Sequence, residues 1–87
     1  AVFTDLFDPE GAEIYLKPAS LYVQLDKPVN FYSVVAAANR RGELALGCRL
    51  RAYAHQASKN YGLLLNPAKS QSITFTDHDR IIVLANQ

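Results

Sequence analysis

Near its C-terminal end the chain reads Ile-Ile-Val-Leu-Ala at positions 81–85, five apolar residues with no polar break. Three of the five are β-branched, which favours an extended backbone. A strand that is apolar on both sides belongs in the middle of a sheet, with both faces covered. That requirement dominates the folding of so small a chain. With 87 residues, folding removes roughly 60–65% of the unfolded surface, enough for one core and not for two. A single domain is expected.

The elements that must cover this strand are legible upstream. Residues 13–17 (Glu-Ile-Tyr-Leu-Lys), stopped by Pro18, predict a strand that partly buries Ile14 and Leu16. Residues 18–28 form a connector bounded by two prolines, and its Leu21, Tyr22, Val23 and Leu25 indicate a segment lying on a surface. Asn30 is a fit N-cap. After it, Phe31, Val34, Val35 and Ala38 recur at helical spacing, Arg40 and Arg41 complement the C-terminal dipole, and Gly42 supplies a left-handed stop. The opposite helix face, Tyr32, Ser33, Ala36 and Ala37, carries only Arg40 as a charge, so a second buried face is expected there. Residues 44–53 alternate apolar and other residues with period two, putting Leu44, Leu46, Cys48, Leu50 and Ala52 on one side. Residues 54–60 read as a polar loop, 61–65 as a strand ending at Asn66-Pro67, and 73–75 as a short strand or bridge. Residues 76–79 read as a tight turn. The expected fold class is α+β, a small mixed or antiparallel sheet with one main helix.

Chemistry is sparse. Nine Lys and Arg against eight Asp and Glu leave no basic stripe for a nucleic-acid backbone. The single Cys48 excludes an internal disulfide framework, and on the apolar side of its strand it reads as a buried structural thiol. Asp77-His78-Asp79 has metal-ligating residue types, but adjacent residues do not normally converge on one ion, and a turn held by Asx hydrogen bonds explains them better. The four glycines are isolated, so no phosphate-binding fingerprint is present, and no serine has an elbow context. No enzyme activity, no metal and no catalytic residue is expected. An enzyme working through His55, His78 or Cys48 ranks last among the readings. Arg49 and Arg51 project from one side of a strand and serve as solvated edge charges, or meet an anionic ligand or a partner's carboxylates. No apolar run has the length of a membrane span, so the fragment itself is not expected to insert. Val2, Phe3, Leu6 and Phe7 make the first residues unusually apolar. They pack on this domain's core or on a neighbouring domain. Together with the absence of methionine and a start at Ala1, they fit a piece excised from something larger.

Several segments, in order, resemble one family. Glu10-Gly11-Ala12-Glu13-Ile14-Tyr15-Leu16-Lys17 resembles the opening strand of a domain in Castor/Pollux-type ion channels and their bacterial relatives. Phe31, Val34 and Val35 match its helix, Ala45-Leu46-Gly47-Cys48-Arg49-Leu50 its next strand, and Gly62-Leu63-Leu64-Leu65-Asn66-Pro67 a Gly-x-x-Leu-Asn-Pro-like segment. Residues 76–85 are similar to its closing Gly-Asp turn and apolar strand. The resemblance covers residues 10–86. It implies a C-terminal lobe of the RCK (regulator of potassium conductance) or TrkA-C type, with residues 1–11 a linker or crossover from a preceding domain and residues 12–87 the regulatory lobe. It also implies a cytoplasmic position beneath a membrane pore, self-association as a dimer or larger ring, and a preceding Rossmann-like lobe. A nucleotide would bind that lobe, with no cofactor in this fragment. The implied interface residues are Tyr32, Ala36 and Ala37 of the helix, with Phe3 and Phe7. The function implied is control of ion flux through ligand-linked lobe packing. A small-molecule-binding module with no link to ion transport is the alternative. Two features depart from the family. His78 replaces a glycine before Asp79, so either His78 takes a positive φ or the turn differs. The loop 54–60 is longer, and the calcium sites of some RCK domains find no matching acidic set.

Overall fold

A computed structural model describes residues 9–86 of the chain. Four strands form one antiparallel sheet in the order β1 (Ala12–Pro18), β6 (Arg80–Asn86), β3 (Leu44–Arg49), β4 (Leu63–Leu65). A second, two-stranded sheet pairs β2 (Pro28–Asn30) with β5 (Ser72–Thr74). One α-helix, α1 (Phe31–Arg40), follows β2 directly. The fold is α+β, as the sequence predicts.

β6 lies between β1 and β3, the central position its apolar run demands. Partners across an antiparallel ladder project to the same side. The register Tyr15↔Val83, Lys17↔Ile81 and Cys48↔Ile81 therefore assembles one face of the sheet. Ile81, Val83 and Cys48 on that face are fully buried beneath Val34 and Ala38 of α1 and Phe75 after β5. Each such side chain contributes about 1.5–3 kcal/mol of transfer free energy.

The helix begins as its sequence indicates. Asn30 Oδ1 accepts from Ser33 N at 3.0 Å, while Phe31 N and Tyr32 N donate to the carbonyls of Gln71 and Lys69. Three of the first-turn amides are thereby satisfied, two of them by the strand-bearing segment that α1 packs beside. It ends where Gly42 takes φ +73°, and Glu43 N turns back to Ala38 O at 2.9 Å.

That stop delivers Glu43 into the interior, where it is 5% exposed. Its carboxylate accepts from Lys17 Nζ of β1 at 2.5 Å and from the Tyr22 hydroxyl at 2.7 Å, with Arg41 Nε at 3.6 Å. Burial alone would raise this carboxyl. The hydrogen bonds from Lys17 and Tyr22 and the charges of Lys17 and Arg41 outweigh it and hold the group below its ordinary value. Burial, then the bond to Glu43, pushes the Tyr22 hydroxyl well above its own. The cluster ties edge strand β1 and the 3-10 turn Ala19–Leu21 to the end of α1. The connector 18–28 is thus part of the core as well as a surface segment, with Ala19 and Tyr22 buried.

Two expectations are corrected. The alternation over 44–53 does not persist: β3 stops at Arg49, and a bulge at Leu46 shifts the register between Ala45 and Gly47. One extra residue reverses the side on which the following residues project. Leu44 therefore pairs with Leu84 on one face, and Cys48 with Ile81 on the other. Gly47 follows the bulge because β4 crosses closely: a Cβ there would lie 2.1 Å from the Leu64 carbonyl oxygen. In β1 the buried side is that of Tyr15 and Lys17, while Ile14 and Leu16 point the other way and are exposed.

Candidate functional site

Opposite the helix, the four-stranded sheet presents a second apolar face. The pairs Ile14↔Leu84 and Leu16↔Ile82 place two leucines and two isoleucines on it from β1 and β6. Leu44 joins through Leu84, and Leu63 and Leu65 join through Arg49 and Gly47. Ile14 and Leu65, on the two edge strands, are each 63% exposed, whereas the central Ile82 is 6% exposed. No helix or loop among the described residues covers this face. Among the described residues, α1 covers one face of β6, and on the other face Ile82 is nevertheless buried. Strand spacing and length give the face roughly 300–400 Å², in the range where an apolar patch is often functional.

The end of the face nearest Pro18 is basic. Arg49 of β3 lies directly opposite Arg80 of β6, and like charges in that relation are destabilising. Arg51 opens the 3-10 turn Arg51–Tyr53 beside them. A pocket of about 340 Å³ is lined by these three arginines with Leu16, His55 and His78. No carboxylate among the described residues lies within ion-pair distance of Arg49, Arg51 or Arg80. Arg80 Nη1 instead donates to the backbone carbonyls of Asp77 and Asp79, at 3.4 and 3.2 Å. Arg49 and Arg51 line one pocket, although not as alternate residues of one strand, since β3 ends at Arg49. Arg80, His55 and His78 join them through cross-strand register and loop placement, which the linear pattern does not carry.

Asp77, His78 and Asp79 do not converge. Asp79 is buried, its Oδ1 accepting from Arg51 N and its Oδ2 from Thr76 N, both at 2.8 Å. Asp77 and His78 face outward, 3.4 Å apart. The three residues build a turn, and His78 is not among the residues with positive φ, so the turn needs no glycine there. The longer loop is shaped by the distorted 3-10 stretch Ala57–Gly62, in which Asn60 and Tyr61 have φ of 53° and 55°. Beyond it lies a cavity of about 490 Å³ with Leu50, Leu64 and Ile73 in its apolar lining and Tyr53 and Lys59 beside them. Cys48 is fully buried, and burial, reinforced by the Asp79 charge, pushes its thiol up to about 12.

On the helix, Tyr32 is exposed and Ala36 half-buried, but Ala37 is 6% exposed and belongs to the domain's own core. Of the expected helix interface residues, Tyr32 and Ala36 are thus accessible and Ala37 is not. Phe3 and Phe7 lie outside the described residues.

The chain is thus a small antiparallel α+β domain with one helix-covered apolar sheet face and a second that no described helix covers. No family model matches the chain. Over 83 residues, 95% of this chain, it is 30% identical to the probable ion channel POLLUX of Arabidopsis thaliana. It is 26% identical over 86 residues, 99% of the chain, to the ion channel CASTOR of Lotus japonicus. Over 49 residues, 56% of the chain, it is 37% identical to the probable ion channel CASTOR of Oryza sativa subsp. japonica. The chain spans 9%, 9% and 6% of those proteins, respectively. It is similar to a short segment of each of these plant proteins.

Proposed function

We propose that this domain is a cytoplasmic regulatory and assembly lobe of an ion-channel protein, of the RCK C-terminal type and linked to potassium flux. Its open sheet face docks on a neighbouring domain of the same polypeptide. The observation that carries the reading is the uncovered face of β6: a strand apolar on both sides, shielded by α1 on one and by nothing described on the other. Similarity to CASTOR and POLLUX segments supports the channel context. The size of the face selects the occupant. Covering roughly 300–400 Å² on each partner gives about 700 Å² in total, within the range of contacts between domains of one chain and below that of a stable free dimer. The neighbour assigned is the preceding nucleotide-binding lobe that the resemblance implies. Such a contact regulates by differential packing. A ligand of either lobe shifts the pore equilibrium only by its difference in affinity between packed and unpacked states.

Ile14→Asp and Leu65→Asp test the proposal in the full-length parent. Both side chains are exposed in the lone domain, so its unfolding free energy is expected to stay within about 0.5 kcal/mol of wild type, while regulated ion flux is lost. Flux and regulation identical to wild type in both variants would overturn it.

A further inference from the structure

We propose that the pocket formed by Arg49, Arg51 and Arg80 binds a small phosphoryl-bearing anion of about diphosphate size. The inference is independent of the docking proposal, because the arginines meet within this one domain. Three fixed positive charges converge on a concavity of about 340 Å³, at the small end of the range for small-molecule sites. Two of them, Arg49 and Arg80, are held opposite each other on adjacent central strands. The repulsion between them is relieved by an anion that lies between both. Among the described residues no side chain supplies that anion: the Asp79 carboxylate is buried with both oxygens accepting backbone amides, and Asp77 faces His78 outside the pocket lining.

The ligand class follows from the donors. Guanidinium forks match tetrahedral phosphoryl oxygens bidentately. His55 and His78 add ring N–H donors at the rim, and Asp77 beside His78 limits the charge there. The concavity of about 340 Å³ is larger than one orthophosphate fills, which favours two linked phosphoryl groups. Leu16 and Ala54 leave room for a short organic substituent.

The test is calorimetric titration of the 87-residue chain with inorganic pyrophosphate at low and moderate salt. Orthophosphate, acetate and phosphatidylcholine–phosphatidic acid vesicles serve as parallel arms. Saturable binding of pyrophosphate is expected, tighter than orthophosphate, absent with acetate, and accompanied by a rise in melting temperature through mass action. Arg49→Gln and Arg51→Gln each weaken it by about ten- to a hundredfold, while Lys69→Gln, outside the pocket, leaves it unchanged. Both arginines are exposed, so these variants keep the fold, and their far-ultraviolet dichroism checks it. No saturable binding, or equal weakening by Lys69→Gln, would overturn the proposal. Binding to vesicles without binding to pyrophosphate would overturn it in favour of a lipid headgroup, and binding of acetate as tight as pyrophosphate in favour of carboxylates.

Discussion

Replacing Glu43 with glutamine probes the junction on which the sheet's edge strand depends. The native carboxylate accepts from Lys17 and Tyr22 on separate oxygens and is almost wholly buried. An amide offers one acceptor, so one of those two bonds is lost and an NH₂ group faces a donor. A hydrogen bond to a charged group contributes about 1.5–3 kcal/mol. Lys17 is 27% exposed at its side chain and can turn to water, which keeps the penalty for its unpaired charge small. The expected cost is about 2–3 kcal/mol at neutral pH. For a domain of this size that corresponds to a fall in melting temperature of about 10–20 °C. Equilibrium urea unfolding with an unchanged m-value measures it. The pH dependence has a definite sign. Because the folded carboxyl is held below its ordinary 4.5, its stabilisation is fully present above that value. It is lost as the pH falls through the lower folded value, where the unfolded chain binds the extra proton first. The wild-type advantage over Glu43→Gln therefore shrinks on acidification below about 4.5. In the Lys17→Met background the same substitution should cost measurably less, since the two side chains share one interaction. A Glu43→Gln protein within about 0.5 kcal/mol of wild type at neutral pH would refute the reasoning.

Gly47→Ala forces a methyl group onto the Leu64 carbonyl, and is expected to displace β4 and cost about 1–3 kcal/mol in urea unfolding. Asp79→Ala leaves the amides of Arg51 and Thr76 without their acceptor, an expected loss of about 3 kcal/mol, with hydrogen exchange at both amides accelerated well before global unfolding. Cys48 should resist alkylation in the folded state and react only at the rate of opening, because its thiol is buried and pushed up to about 12; rapid labelling under native conditions would contradict its placement.

What was legible in the sequence was local. Asn30, the Phe31–Val34–Ala38 spacing and Gly42 each act within one helical turn of the boundary they set, and α1 begins and ends where they place it. The apolar run 81–85 identified the central strand for the same reason: its composition alone requires sheet neighbours on both sides. In the sheet, the differences arise from register. A single bulge at Leu46 reversed the face assignment of β3, and no residue type marks it in a stretch of Leu, Ala and Gly. In β1 the alternation was visible, but both alternating sets carry apolar side chains. Which one faces α1 depended on Tyr15 and Lys17, whose long stems are covered while Lys17 reaches Glu43. The basic pocket combines residues 49, 51, 55, 78 and 80. Arg49 and Arg51 are neighbours in sequence, but Arg80 reaches them only because β6 pairs with β3 in one particular register.

The most direct test of the central claim, that the open sheet face is covered in the assembled protein, uses the burial of the lone native thiol. With Cys48 silent, a Leu65→Cys variant of this chain carries one reactive cysteine on the outer edge of that face, where the native side chain is 63% exposed, and in the full-length parent labelling is read at position 65 by peptide mapping. Its maleimide labelling rate is compared between the 87-residue chain and the full-length parent. Rapid labelling in the former and strong protection in the latter is the predicted result. Equal, rapid labelling in both would contradict it.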